Sequence, residues 1–67
     1  MKRFQLHLQG QHEPLTVELD CPSVEQLAEL ASNSRFVIGY LDAVEECGCH
    51  PKVMIAAARI SCAIELS

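Results

Sequence analysis

Side chains with site chemistry gather in one short run of this 67-residue sequence, Cys47-Gly48-Cys49-His50-Pro51. Thiolate and imidazole groups are the ligands that zinc prefers, and thiolates close together also suit Cu(I). Gly48 lets the backbone fold so that the two sulfur atoms converge. The residue types therefore indicate a metal site (Zn or Cu) with Cys47, Cys49 and His50 as ligands.

The spacing of these ligands does not fit the common zinc modules. Those modules present paired C-x₂₋₄-C or H-x₃₋₅-H knuckles, whereas this run has a single, shorter C-x-C. Structural zinc sites usually have four ligands, so a fourth would come from Cys62, from Cys21 or from a second chain. Metal binding is therefore the second interpretation of the sequence. The alternative for this run is a polar hairpin tip with two free thiols and a surface histidine, without a function.

Redox and catalytic interpretations have less support. The familiar redox motif is C-x-x-C at the start of a helix, and a disulfide across one residue would be strained and labile. Cys49 and His50 are adjacent, which seldom lets a thiol and an imidazole meet as nucleophile and base. The sequence has no Gly-rich phosphate loop and no nucleophile elbow. We therefore expect no enzymatic activity, no catalytic residue and no cofactor other than such a metal ion.

The elements that position this run begin with a hairpin and a helix. Residues 3–9 and 14–20 alternate apolar with polar side chains and predict two strands joined by a Gly-containing turn. Pro22 ends the second strand, and Ser23 to Gln26 form a capping box for a helix over 23–32. Strand, turn, strand ending in Asp-x-Pro-Ser and capped helix resemble the first half of a ubiquitin-like β-grasp domain. This resemblance covers residues 1 to about 32, informs topology alone and carries no function.

Two apolar runs flank the 47–51 segment. Residues 35–45 are apolar at both alternating sets of positions, which is typical of a strand covered on both faces. Gly39 within this strand indicates a bulge or a close backbone approach.

The run from 51 to 66 is compatible with a helix or with strands. Three consecutive alanines after Pro51 favour a helix, since alanine is the best helix former. Residues 60–66, however, alternate apolar with polar side chains without exception, which favours a strand. We predict strands at 52–57 and 60–66 with a bend near 57–59.

Together these elements predict an α+β fold over a single domain, residues 1–67. The predicted architecture is a two-layer β-β-α-β-β arrangement, with one amphipathic helix on a mainly antiparallel sheet and a bent or split C-terminal strand. A domain of this size is near the lower limit for a self-sufficient core, so a partner subunit would help to cover its apolar residues.

Composition favours an interaction module. Apolar residues make up 49% of the chain, which excludes a disordered protein, and the surplus in the later strands predicts an exposed apolar patch. Our first interpretation is a non-catalytic protein-interaction module in the cytoplasm that associates with itself. The candidate contact residues lie on the third and fourth strands: Val37, Leu41, Met54 and Ala56.

Charge and hydropathy limit the other partners. The formal net charge is −4, which disfavours nucleic acid, so a nucleic-acid-binding small barrel of SH3-like or Sm-like type is the third interpretation. No apolar run approaches the length of a membrane span, and the start MKRFQLHLQGQ alternates instead of forming the apolar core of a signal peptide. We expect no membrane association.

Overall fold

The fold is an antiparallel sheet of five strands with one helix, seen in a computed structural model that describes residues 2–42, 48 and 50–66. The strand order is β4-β3-β2-β1-β5. The α+β prediction is confirmed, and the C-terminal strand predicted to be bent or split is interrupted by a short helix at residues 57–59. The elements, in chain order, are β1 (Lys2–Leu8), β2 (Leu15–Leu19), α1 (Val24–Asn33), β3 (Phe36–Leu41), β4 (Lys52–Ala56), a 3₁₀ helix (Ala57–Arg59) and β5 (Ile60–Glu65).

Strands β1 and β2 form the predicted hairpin. Their antiparallel register pairs Phe4 with Val17, so both apolar side chains point to the same face of the sheet. The connecting turn begins where the amide of Gln11 donates to the carbonyl of Leu8 at 3.2 Å. Gly10 has a φ of 83° in this turn, a conformation that glycine adopts without the steric penalty of a side chain.

Side chains bond the backbone near both ends of helix α1. The hydroxyl of Ser23 accepts from the amide of Gln26 at 3.3 Å, as the capping box predicts. At the other end, Ser32 Oγ and Asn33 Nδ2 each donate at 2.9 Å to the carbonyl four residues earlier. Helix α1 contacts β3, β5 and the 3₁₀ helix, and its buried residue is Leu27.

The last two strands behave as one bent strand. β4 pairs with β3 at one end of the strand order, and β5 pairs with β1 at the other. In a flat sheet these edges would be roughly 19 Å apart, since neighbouring strands are about 4.8 Å apart. The three residues of the 3₁₀ helix are too few to cross a flat sheet, because each adds only about 2 Å. The sheet must therefore curl until its two edges approach each other.

The core lies between α1 and one face of this curled sheet, which we call the inner face. Its buried side chains come from the helix and from four strands, with Cys21 from the β2–α1 connection: Phe4, Leu6, Val17, Leu19, Cys21, Leu27, Val37 and Ile55. The opposite surface, which we call the open face, carries the alternate side chains of every strand and has no helix over it in the part of the chain described. The tertiary structure therefore buries residues of one alternating set and leaves the other set half-buried or exposed.

Gly39 lies on β3 where β2 leaves no room for a side chain. A Cβ atom placed there would lie 2.6 Å from the carbonyl oxygen of Glu18 and would also collide with the side chain of Leu19. The sequence interpretation of a close backbone approach is therefore correct. Neither helical element in the described ranges has the length and apolar character needed to cross a membrane.

Candidate functional site

The predicted metal ligands fall partly outside the described residues. Cys47 and Cys49 both lie outside them, so the thiol site stays a prediction. His50 is exposed and directly precedes Pro51 and β4. The two candidates for a fourth ligand lie in different surroundings: Cys21 is buried in the core, and Cys62 is exposed on β5.

Cys21 has the environment of a structural residue. It is 7% exposed and packs in the same cluster as Leu27 and Leu19. Burial, and secondarily the neighbouring Asp20 carboxylate, raises the pKa of the Cys21 thiol. Because the thiolate is the species that binds metals and reacts, this thiol is poorly suited to either role.

His50 lies beside two carboxylates that the sequence pattern does not connect with it. Ligand atoms of Glu18, Asp42 and His50 all lie within 4.8 Å of one another. Glu18 is half-buried on β2, and Asp42 follows β3 directly. No sequence motif signals this group, since its members are 24 and 8 positions apart.

Backbone hydrogen bonds hold the three segments together at this point. The amide of Asp42 donates to the carbonyl of Thr16 at 3.0 Å, which continues the β2–β3 ladder beyond the end of β3. The amide of Leu41 donates to the carbonyl of Pro51 at 2.9 Å, which ties the start of β4 to the end of β3. The cluster is therefore formed by the sheet itself.

The open face carries a concentrated apolar surface on β3 and β4. Three large side chains there are the most exposed of the described hydrophobic residues, Phe36 at 48%, Ile38 at 60% and Met54 at 63%. The register places Ile38 opposite Met54, and Ala56 opposite Phe36. With Tyr40 these residues form a continuous surface, which we call the β3–β4 patch: Phe36, Ile38, Tyr40, Met54 and Ala56.

The structure places two of the four predicted contact residues on this patch. Met54 and Ala56 belong to it, whereas Val37 is 1% exposed in the core and Leu41 packs against the core from the inner face. The sequence showed that both alternating sets of β3 are apolar, but not which set faces the helix. The set of β3 on the open face is Phe36, Ile38 and the half-buried Tyr40. The register that pairs Ile38 with Met54 identifies this set.

Positive charges flank the β3–β4 patch. Arg35 directly precedes β3 and Arg59 closes the 3₁₀ helix, and neither forms an ion pair within the described ranges. The ion pairs of the described residues use two cations of β1, with Lys2 Nζ 3.1 Å from Glu65 Oε2 and Arg3 Nη1 3.4 Å from Asp42 Oδ2.

A third cation, Lys52, lies on the patch itself. Lys52 Nζ lies 5.8 Å from the centroid of the Tyr40 ring, within the distance of a cation–π contact. The patch therefore combines an apolar centre with a rim of mixed charge, since Glu18 lies opposite Tyr40 on the neighbouring strand.

The cavities of the described residues are small and open. A groove of about 260 Å³ runs between α1 and β5, and small side chains such as Ala28, Ala31 and Ala63 line much of it. A second groove, of about 360 Å³, lies near the 3₁₀ helix and includes Phe36 and Arg59. Neither groove collects a pair of titratable groups within reach of each other.

Known proteins offer no likeness from which a role could be inferred. No family model, no curated protein and no solved structure matches the chain.

Proposed function

We propose that this chain is a small non-catalytic protein-interaction module that associates with itself through the β3–β4 patch. The observation that carries the proposal is the exposure of Phe36, Ile38 and Met54 side by side on the open face. Contiguous apolar surface of this kind is uncommon on monomeric soluble proteins and typically marks an interaction surface.

A second copy is the partner that fits the position of the patch. β4 is an edge strand, paired with β3 on one side and with no strand on the other side in the described part of the chain. Edge strands are templates for pairing, and two copies of β4 related by a two-fold axis would pair antiparallel. Such pairing would join the two sheets and set the two patches side by side on one surface, whereas packing the patches face to face about a two-fold axis would cover both at once.

The required area indicates which neighbours take part. A stable interface buries roughly 800 Å² per partner, a substantial share of the 4638 Å² of accessible surface that the chain presents. Five side chains of the patch do not supply that area alone. The interface would therefore extend to the rim, where Arg35 and Lys52 lie.

The test is sedimentation equilibrium of the chain from micromolar to millimolar concentration, with Ile38→Glu and Met54→Glu as variants. We expect a concentration-dependent dimer, weakened at least about a hundredfold by either change because a buried, unpaired charge costs several kcal/mol. Ile64→Glu is the matched control, because Ile64 is 43% exposed on β5, outside the patch. It should leave the dimer intact.

Two outcomes would contradict the proposal. A wild-type chain that stays monomeric at the highest concentration excludes self-association. If Ile64→Glu dissociates the dimer and Met54→Glu does not, the interface lies outside the β3–β4 patch. Circular dichroism of each variant shows whether the fold is retained.

Nucleic-acid binding is the second candidate function, because Phe36 and Tyr40 lie on an open sheet face with Lys52 beside the Tyr40 ring. Exposed aromatic rings stack on bases, and cations follow the phosphate backbone. The net charge of −4 opposes this function. Fluorescence anisotropy with a labelled single-stranded oligonucleotide at low salt distinguishes nucleic-acid binding from self-association. Self-association alone predicts no rise in the anisotropy of the oligonucleotide.

A further inference from the structure

The group formed by Glu18, Asp42 and His50 has the composition of a metal site. Its members come from three segments, β2, the end of β3 and the start of β4, and their ligand atoms lie within 4.8 Å of one another. Two carboxylates and one imidazole supply oxygen and nitrogen donors, a set that suits divalent ions such as Zn²⁺ and Mn²⁺. This set shares only His50 with the thiol site that the sequence predicts.

The orientation of the His50 ring supports the same interpretation. Nδ1 of His50 lies 3.1 Å from the carbonyl oxygen of Leu41. A carbonyl oxygen only accepts, so Nδ1 carries the proton and donates in this contact. In the neutral ring, Nε2 then keeps its lone pair. Histidines that bind metals almost always donate their other N–H to a backbone carbonyl, a carboxylate or water in this way.

The positions of the ligands depend on the fold and not on a free loop. The bonds from Asp42 to Thr16 and from Leu41 to Pro51 fix the backbone on both sides of the cluster. The backbone that carries the ligands is therefore held by the sheet, and the side chains would adjust to place oxygen and nitrogen atoms about 2.0–2.2 Å from one ion.

From this geometry we infer that Glu18, Asp42 and His50 bind one divalent transition-metal ion, with His50 contributing Nε2 and solvent completing the coordination. The inference does not depend on self-association through the β3–β4 patch. The competing cation is Arg3, whose guanidinium lies 3.4 Å from Asp42 Oδ2. Half of the Arg3 side chain is exposed, so it can move into solvent when the ion binds.

The experiment is isothermal titration calorimetry of the full chain with zinc chloride, repeated with manganese chloride. We expect one ion per chain, and at least about tenfold weaker binding in each of Glu18→Gln, Asp42→Asn and His50→Gln, since even outer-shell changes cost 10- to 100-fold in metal affinity. His12→Gln is the matched control, because His12 lies exposed in the β1–β2 turn, outside the cluster. Its affinity should equal that of the wild-type chain.

Two further variants distinguish this site from the thiol site and test the competition by Arg3. The double variant Cys47→Ser/Cys49→Ser should retain binding, because no thiol belongs to the proposed ligand set. Arg3→Gln should strengthen binding, because it removes the cation that competes for Asp42. Nitrogen-15 NMR of the imidazoles should show the zinc-induced change at Nε2 of His50.

Several results would overturn the inference. These are no heat of binding with either metal, unchanged affinity in Glu18→Gln or in Asp42→Asn, and loss of binding in the double cysteine variant. The last result would assign the ion to the thiols. All substituted carboxylates and His50 are at least partly exposed, and circular dichroism verifies that each variant is folded.

Discussion

Gly39 shows how a single residue allows the sheet to form. It is the position where β3 lies so close to β2 that a methyl group would meet the carbonyl of Glu18 at 2.6 Å. The neighbouring Leu19 is 1% exposed, so its side chain has no free space into which it could move. The glycine is therefore required by packing and not by a special backbone conformation.

Replacing Gly39 with alanine should destabilise the chain by about 1–3 kcal/mol, the usual range for added atoms in a packed core. Urea denaturation followed by circular dichroism measures the change in the free energy of unfolding. Gly10→Ala is the comparison, because its Cβ would meet nothing within 4 Å and only its φ of +83° is strained. A Gly39→Ala variant as stable as the wild type would mean that β2 and β3 can separate at little cost.

Helix α1 depends on a residue that is distant in sequence. The amide of Val24 donates to Glu65 Oε1 at 2.8 Å, while Lys2 Nζ donates to Glu65 Oε2 at 3.1 Å. One carboxylate at the end of β5 thus joins the start of α1 to the start of β1. The hydrogen bond from Val24, followed by that from Lys2, lowers the pKa of Glu65 below its usual value. A negative charge at a helix N-terminus is also favourable for the helix dipole.

Glu65→Gln should lower stability in a pH-dependent way. Because the folded-state pKa of Glu65 is lowered, its stabilising contribution is present above the unfolded-state value and disappears as the pH falls through the folded-state value. Thermal melts at neutral and acidic pH should therefore show a lower Tm for the variant at neutral pH and converging values in acid. Glu13→Gln, in the exposed β1–β2 turn, is the control. A Tm difference that stays constant on acidification would contradict this role.

At the scale of the whole molecule, charge and apolar surface are separated. The centre of the β3–β4 patch is uncharged, while Lys52 and Glu18 lie at its edge beside Tyr40. The chain carries a net charge of −4, so two copies that meet through this patch bring two acidic bodies together. Salt screens such repulsion over a Debye length of about 10 Å at 0.1 M.

Self-association should therefore become tighter as salt increases. Burial of apolar surface at the centre of the patch is not weakened by screening, so it leaves this sign unchanged. Sedimentation equilibrium in a sodium chloride series gives the Kd at each ionic strength. An acidic protein or a nucleic acid docked on the cations Arg35, Lys52 and Arg59 would show the opposite trend, with binding that weakens as salt increases. A dimer that dissociates in high salt would thus contradict packing through the apolar patch.

Local pattern was sufficient for most of the elements. The alternation of 3–9 and 14–20 and the capping box at Ser23 predicted the hairpin and the helix to within a few residues. The strict alternation of 60–66 outweighed the alanines at 56–58 and predicted a bent or split final strand, which is confirmed by the two strands on either side of the 3₁₀ helix. These features depend on contacts between near neighbours in the chain, so periodicity and capping residues are enough to predict them.

Only the tertiary structure decided which surfaces and side chains come together. A period of two separates the side chains of β3 into two sets, but both sets are apolar. The side on which helix α1 packs places Val37 in the core and leaves Ile38 exposed. The bond from Val24 to Glu65 spans 41 positions, and the group around His50 joins three segments. Such contacts follow from strand order and register, which are long-range properties that no local pattern of this sequence contains.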